Sequence, residues 1–282
     1  MNETQKCILD IFKCFTQICE RHHIPYFAIG GTAIGAVRHN GFIPWDDDLD
    51  VAVPIEYYWK FFEYAQNEIP DYYSIKNGKK DYLYVYNFGK LIDDRTTFIE
   101  EWEMPDIRLY KGIFIDIMPI SGIPLEKKEQ ERFTNSLIRN IQLNKWKRVP
   151  PKCSAGKKER IFKTIIKAGL LFQNNDYYFE KVFELLESRP FFESEITGYT
   201  WGLYNNKKII FETKWFKETV GIKFEDTIMQ CPVGYDEMLT KQFGDYMTLP
   251  PEDKRISCHK PYIDVNQSYK NIKKQMIYRN SE

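Results

Sequence analysis

The chain has 282 residues, 40 lysines and arginines against 40 aspartates and glutamates, and 43% hydrophobic with 16% aromatic residues. That length suits one large domain or a core with an insert, and the hydrophobic share permits a sizeable interior. Balanced charge excludes a global field for nucleic acid, and no run approaches the roughly 20 apolar residues of a membrane span.

The first residues are acidic and helix-patterned, with no basic stretch or small-residue cleavage site, so a secretory leader is not expected. A cytoplasmic setting follows, either free or peripheral on the inner face of the cell membrane. Six cysteines with no Cys-x-x-Cys pair, together with four histidines, favour reduced core thiols over a disulfide frame or zinc site.

In chain order, residues 4–22 form an amphipathic helix with Ile8, Ile11, Phe12, Phe15 and Ile18 on one stripe. A short strand follows at 26–29. Gly30 and Gly31 then open a helix over 32–38. Without a Cβ they admit close approach, and the amides from Thr32 onward can meet an anion.

The next strand, 49–53, closes an acidic run. Side chains at i and i+2 share a face, so Asp48 and Asp50 point one way while Leu49, Val51 and Val53 point to the core. Neighbouring carboxylates repel unless a cation lies between them, and hard oxygens suit magnesium or manganese. A calcium loop of the EF-hand type fails here, because its sixth position is Val51 and its twelfth is Tyr57. Arg38 and His39 either neutralise donor phosphates or satisfy a helix C-terminus. Trp45 either lines the donor site or plugs the turn.

A helix over 56–67 precedes strands at 72–76, 83–93 and 112–119, which predicts a compact α/β unit with a mostly antiparallel or mixed sheet. Within the second strand, Lys90, Asp93 and Arg95 either complete a phosphate pocket or pair at the surface. In GIFIDIMPI, Asp116 is a carboxylate in an otherwise apolar strand, and such an exception needs a partner.

Helices are expected at 126–148, 155–172 and 176–188, a strand at 199–211, a helix over 232–247 that stops at Gly244, and a polar, loosely ordered tail from Lys254. Residues 139–172 carry ten lysines and arginines against Glu159 beside Ile161, Phe162, Ile165 and Ile166. That pattern fits a helix packed on its domain or one lying on an anionic bilayer as a peripheral contact.

With these residues assembled, the chain resembles the LicD family of phosphotransferases, which includes the fukutin-related proteins, within the nucleotidyltransferase fold. GAVRHNGFIPWDDDLD carries the likeness, supported by KLID, GIFIDIMPISGIP and CPVGYDEMLTKQFGDYMTLPP. The resemblance implies an α+β fold: a nucleotidyltransferase-like core with a mixed sheet over 1–125, a helical insert over 126–190 and a C-terminal region over 191–282 packing on the core. It also implies transfer of a phospho-alcohol, typically phosphocholine from CDP-choline, to a hydroxyl of a cell-surface glycan (lipopolysaccharide, teichoic acid or capsule) or its lipid-linked precursor. Asp48 and Asp50 would be metal ligands for magnesium or manganese and Asp116 the third carboxylate, with Asp46 a helper. Donor binding would involve Gly30, Gly31, Thr32, Arg38, His39, Trp45, Lys90 and Asp93. Rival chemistries sharing an Asp-x-Asp are glycosyl and nucleotidyl transfer.

Overall fold

Helix α1 (Glu3–Arg21) begins at a reciprocal cap, in which the Asn2 side chain accepts from the Gln5 amide and the Gln5 side chain accepts from the Asn2 amide. Its stripe of Ile8, Ile11, Phe12, Phe15 and Ile18 is buried, as the spacing requires. The molecule is known from a computed structural model that describes residues 1–79, 81–154, 156–170, 172–204, 209–257 and 261–272.

After α1 come β1 (Phe27–Ala28), α2 (Gly30–Ile34) continued by a π-helical turn (Gly35–His39), β2 (Asp50–Pro54), α3 (Ile55–Glu68), β3 (Tyr73–Lys76), β4 (Gly89–Ile99) and β5 (Lys111–Ile123). Three helices follow: α4 (Lys127–Arg148), α5 (Lys157–Gly169) and α6 (Tyr177–Glu187). The rest comprises β6 (Ile196–Tyr199), α7 (Thr200–Tyr204), β7 (Phe211–Glu212), a hairpin of β8 (Thr219–Phe224) and β9 (Thr227–Pro232), α8 (Tyr235–Phe243) and β10 (Tyr262–Asp264).

The fold is α+β. Eight described strands form one mixed sheet along β1-β2-β5-β4-β10, with β3 also on β4, β6 on β5 and β7 on β6. Only the β2–β5 pairing among these is parallel. Every residue of β5 is buried, and this strand pairs with β2, β4 and β6. Among the described residues the main buried core reaches from Ile8 to Tyr246, with two smaller clusters around Val85 and Ile99.

Three expectations need correction. The strand expected over 83–93 begins only at Gly89 and runs on to Ile99. Before it, the fully buried Arg148 donates to the carbonyls of Gly78, Asp81 and Tyr84, so a side chain takes up oxygens that a neighbouring strand would otherwise bond. The strand expected over 199–211 is instead the end of β6, helix α7 and β7. One helical turn brings Trp201 and Tyr204 together, with ring centroids 5.9 Å apart. Within the polar tail, β10 adds an edge strand to β4, and Thr97 Oγ1 donates to the Gln267 carbonyl beside it. The other tail residues, 258–260 with Cys258 and 273–282, lie outside the described residues.

The β8–β9 hairpin lies where the sequence carries no expectation, since no glycine turn announces it. Glu225 occupies the left-handed region at φ 54°, and so does Asn40. The two hold each other: the Glu225 amide donates to the Asn40 carbonyl, and the Phe42 amide donates to Glu225 Oε1 at 3.1 Å. Tertiary bonds over-determine conformations that neither residue prefers alone.

Ile117 sits on β5 with no exposed surface, opposite Val51 on β2 and Gly89 on β4. Ile117→Ala is expected to lower unfolding stability by about 2–5 kcal/mol, read from urea denaturation with an unchanged slope.

Candidate active site

Strand register builds the site. Asp50 on β2 stands opposite Asp116 on β5, and Lys90 on β4 stands opposite Asp116 from the other side. Three charged residues therefore form a row across three adjacent strands at the middle of a hydrophobic sheet. Lys90 Nζ donates to Asp116 Oδ1.

The Lys90 ammonium also lies 3.4 Å from the centroid of the Phe114 ring, 4.8 Å from that of Tyr86 and 5.4 Å from that of Phe88. Burial pushes its pKa down, and Asp116 opposes that. A buried pair of this kind is costly to break, since removing one partner strands the other charge, at about 3–5 kcal/mol.

Asp50 is locked at the start of β2. Its amide donates to Thr32 Oγ1 at 2.8 Å and its carbonyl accepts from the Ile29 amide, while the Leu49 carbonyl accepts from the Asp116 amide at 2.8 Å. Thr32 thus positions a carboxylate. Gly30, at φ 56°, needs to be glycine, and its missing side chain would stand 3.6 Å from Asp50 Oδ2. A Cβ on Gly31 would fall 2.9 Å from Asp46 Oδ2, so a side chain there would displace the Asp46 carboxylate.

Charge is concentrated here. Burial pushes the Asp50 carboxyl well above the usual range, with Asp48, Asp116 and Asp46 adding to the rise and Lys90 opposing it. Asp116 is raised as well, by burial, and lowered by Lys90. Asp48 lies just before β2, two residues from Asp50. The cluster has the hard oxygens and the surplus negative charge that suit a divalent cation. Among the described residues, no group of three or more His, Cys, Asp or Glu side chains is arranged to hold a metal ion as the side chains stand. Chelation would require them to turn.

The other expected residues divide. At the end of the helix, Arg38 donates from Nε to His39 Nε2 and from its guanidinium to the Tyr246 carbonyl, and burial lowers the pKa of both residues. The His39 ring meets that of Trp45 edge-on at 6.4 Å, and the Arg255 guanidinium lies 5.8 Å from the Trp45 ring. Trp45 immediately precedes Asp46, so Arg38 and His39 are linked through it to the entry of the acidic loop. Asp93 is not brought to the cluster. Three residues beyond Lys90, it takes the opposite face of the strand, where Arg95 clasps it with two hydrogen bonds to its carboxylate. Nor is Lys90 a surface ion pair, because its side chain is buried.

The segment from residue 23 to 147, which contains Gly30, Asp48, Asp50, Lys90 and Asp116, matches the family model described as LicD/FKTN/FKRP, nucleotidyltransferase domain. Across 269 residues, 92% of this chain and 96% of the relative, it is 30% identical to the lipopolysaccharide cholinephosphotransferase LicD of Haemophilus influenzae. The chain belongs to the LicD family of phosphotransferases. An uncharacterized protein of Rickettsia prowazekii is 39% identical over a shorter stretch of 46 residues, 16% of this chain and 17% of that protein.

Reading the LicD motifs in sequence misses the aromatic surroundings of Lys90. Tyr86 and Phe88 belong to a tyrosine-rich run whose alternation suggests an ordinary strand. Tyr199, on β6, is close enough for the Asp50 charge to add to the rise that burial imposes on its hydroxyl. It lies 149 positions from Asp50 in sequence, and no local pattern links the two.

Because Asp50 holds its proton more tightly in the folded chain than in the unfolded one, its contribution favours folding below the ordinary carboxylate range and is lost as pH rises through its folded pKa. Asparagine cannot ionise. In chelator, Asp50→Asn is expected to melt higher than the parent chain at pH 8 and to show no such gain at pH 4, as read by thermal denaturation.

Proposed function

We propose that this LicD-family chain transfers phosphocholine from CDP-choline to a hydroxyl of a cell-surface glycan or its lipid-linked precursor, lipopolysaccharide being the acceptor named for the Haemophilus influenzae relative. One observation carries the reading: the fold joins Asp50, Asp116 and Lys90 in a row beside the glycine pair and the acidic loop, within the segment matched to the family. Phosphoryl transfer asks the protein chiefly for positioning and charge neutralisation.

In this reading the acceptor oxygen attacks the phosphorus that bears choline. The bond from that phosphorus to the bridging oxygen breaks, CMP leaves, and a phosphodiester forms on the glycan. The hydroxyl proton passes to Asp116, the carboxylate opposite Asp50 on the neighbouring strand. Lys90 holds Asp116 in place from the adjacent strand. Gly30 and Gly31 let a phosphate oxygen approach the backbone, and Arg38 supplies positive charge nearby. Asp48 and Asp50, with Asp116 beside them, would hold magnesium or manganese, which would supply positive charge to the donor phosphates.

Asp48→Asn removes charge at constant volume. It is expected to lower CMP release from CDP-choline in the presence of acceptor by at least about 10²-fold, the scale of losing one electrostatic stabiliser, with an unchanged melting curve. Retained turnover would refute the assignment, and release of pyrophosphate in place of CMP would point to nucleotidyl transfer.

A further inference from the structure

Beyond Lys90 the sheet opens into a cavity of about 140 Å³ whose walls include Tyr86, Phe88, Trp102, Trp201, Tyr204 and Glu100. The rings come from three parts of the chain: the segment before β4, the loop after it and helix α7. Phe88 meets Tyr86 at 5.0 Å and Trp201 at 6.5 Å between centroids, and Trp201 meets Tyr204 at 5.9 Å. Two polar atoms of this aromatic wall are directed at Glu100, Tyr86 Oη donating to Oε1 at 3.1 Å and Trp102 Nε1 to Oε2 at 2.9 Å, while Tyr204 Oη donates to Gln142 Oε1 at 2.6 Å. What remains to face an occupant is ring surface with the Glu100 carboxylate behind it, which the Lys111 ammonium, shared with Glu103, approaches at 3.3 Å.

Lys145 also lines the cavity, and burial together with Lys163 holds its ammonium below the ordinary lysine range. Asn87 is committed to Asn144. Ring faces backed by negative charge attract a cation that has no hydrogen to donate, and a strongly hydrated ammonium gains less there because it must give up its water. Tyr86 and Phe88 border both this cavity and the Lys90 ammonium, so the cavity adjoins the Lys90 end of the charged row.

We infer that this pocket takes a quaternary ammonium group and is what selects the alcohol of the donor. The inference rests on the phospho-alcohol transfer proposed above and adds the choice among alcohols. It is tested on the full chain by tryptophan fluorescence and calorimetric titration with free choline, and by the ratio of kcat/KM for CDP-choline to that for CDP-ethanolamine. The parent chain is expected to bind choline, and Trp201→Leu and Glu100→Gln to weaken that binding about tenfold and to bring the donor ratio towards one. Unchanged choline binding in both variants would overturn the inference. So would an equal loss of affinity for CMP, which would make the pocket a nucleobase site. If choline binds as described while no CDP-alcohol is turned over, the function proposed above fails and the pocket stands.

A separate observation concerns helix α5. None of its residues is buried, and Ile161, Phe162 and Ile165 are 62%, 53% and 66% exposed, with Phe172 just beyond at 98%. The Lys163 side chain is only 15% exposed. Ile161 and Ile165 face outward while the Lys163 stem turns inward, and the Phe162 ring touches the domain edge-on at Trp146, 5.9 Å between centroids, so most of the apolar stripe is left unpacked. Lys157, Lys158 and Arg160 stand exposed on the first turn of the same helix.

An outward apolar face with a basic border matches an anionic bilayer, and we infer that α5 docks there. Sedimentation with vesicles of phosphatidylcholine, with and without 30% phosphatidylglycerol, tests this. Binding is expected only with the anionic lipid and is expected to be lost in Ile161→Asp/Ile165→Asp, whose circular dichroism should match the parent. Absence of binding by the parent, or binding retained by the variant, would overturn it, as would a dimer in ultracentrifugation that the variant abolishes, since that would assign the face to a second copy.

Discussion

The pairing of Lys90 with Asp116 in the middle of the sheet is the constraint that the rest of this site depends on. Taking a carboxylate and an ammonium out of water costs several kcal/mol per ion, and only close pairing within a well-packed frame repays it. Here the frame is covalent and hydrogen-bonded: β5 fixes Asp116, β4 brings Lys90 beside it, and the parallel partner β2 adds Asp50 on the other flank. A slip of one residue in either pairing would turn the charges to the opposite face. The two antiparallel neighbours and the one parallel neighbour of β5 thus define the chemistry as much as the topology.

Around this row, several remote segments clamp the acidic loop. Gly35 allows the loop to return at Gly41, whose carbonyl would lie 2.6 Å from a Cβ at Gly35. Asn40 and Glu225 hold each other in left-handed conformations, so the β8–β9 hairpin supports the turn that leads into Asp46. From the C-terminal side, the Tyr246 carbonyl accepts from Arg38 and the Ser257 hydroxyl donates to Asp47. Pre-organised carboxylates that repel one another are held by contacts made elsewhere, a common arrangement where stability is given up for function.

The proposed selection of donor and docking on a bilayer involve other parts of the chain. The aromatic cavity beside Lys90 draws its walls from residues flanking β4 and from α7, so the region after residue 190 packs against the segment that carries Lys90. Helix α5, by contrast, contributes nothing buried to the core and offers an apolar face outward. No helix among the described residues is long and apolar enough to cross a membrane.

What the sequence by itself determined was whatever has short-range periodicity or a motif: helix α1 from its stripe, the glycine pair before an acidic run, β2 from its hydrophobic alternation, and Asp116 as an out-of-place carboxylate. Family membership was also legible, because GAVRHNGFIPWDDDLD and its companions are local. Tertiary structure alone decided the partners. Lys90 and Asp93 share one short motif, yet the pleat sends them to opposite faces, and only the β4–β5 register shows that Lys90 belongs to the site. Arg148 takes up carbonyls that would otherwise mark a strand, and Glu225 adopts a turn conformation that its side chain disfavours because Asn40 bonds it. Likewise the rings of Tyr86 and Trp201 meet around one cavity although 115 positions separate them. Contacts across such separations carry no local signature, since they depend on which faces the sheet buries and not on the order in which residues follow one another.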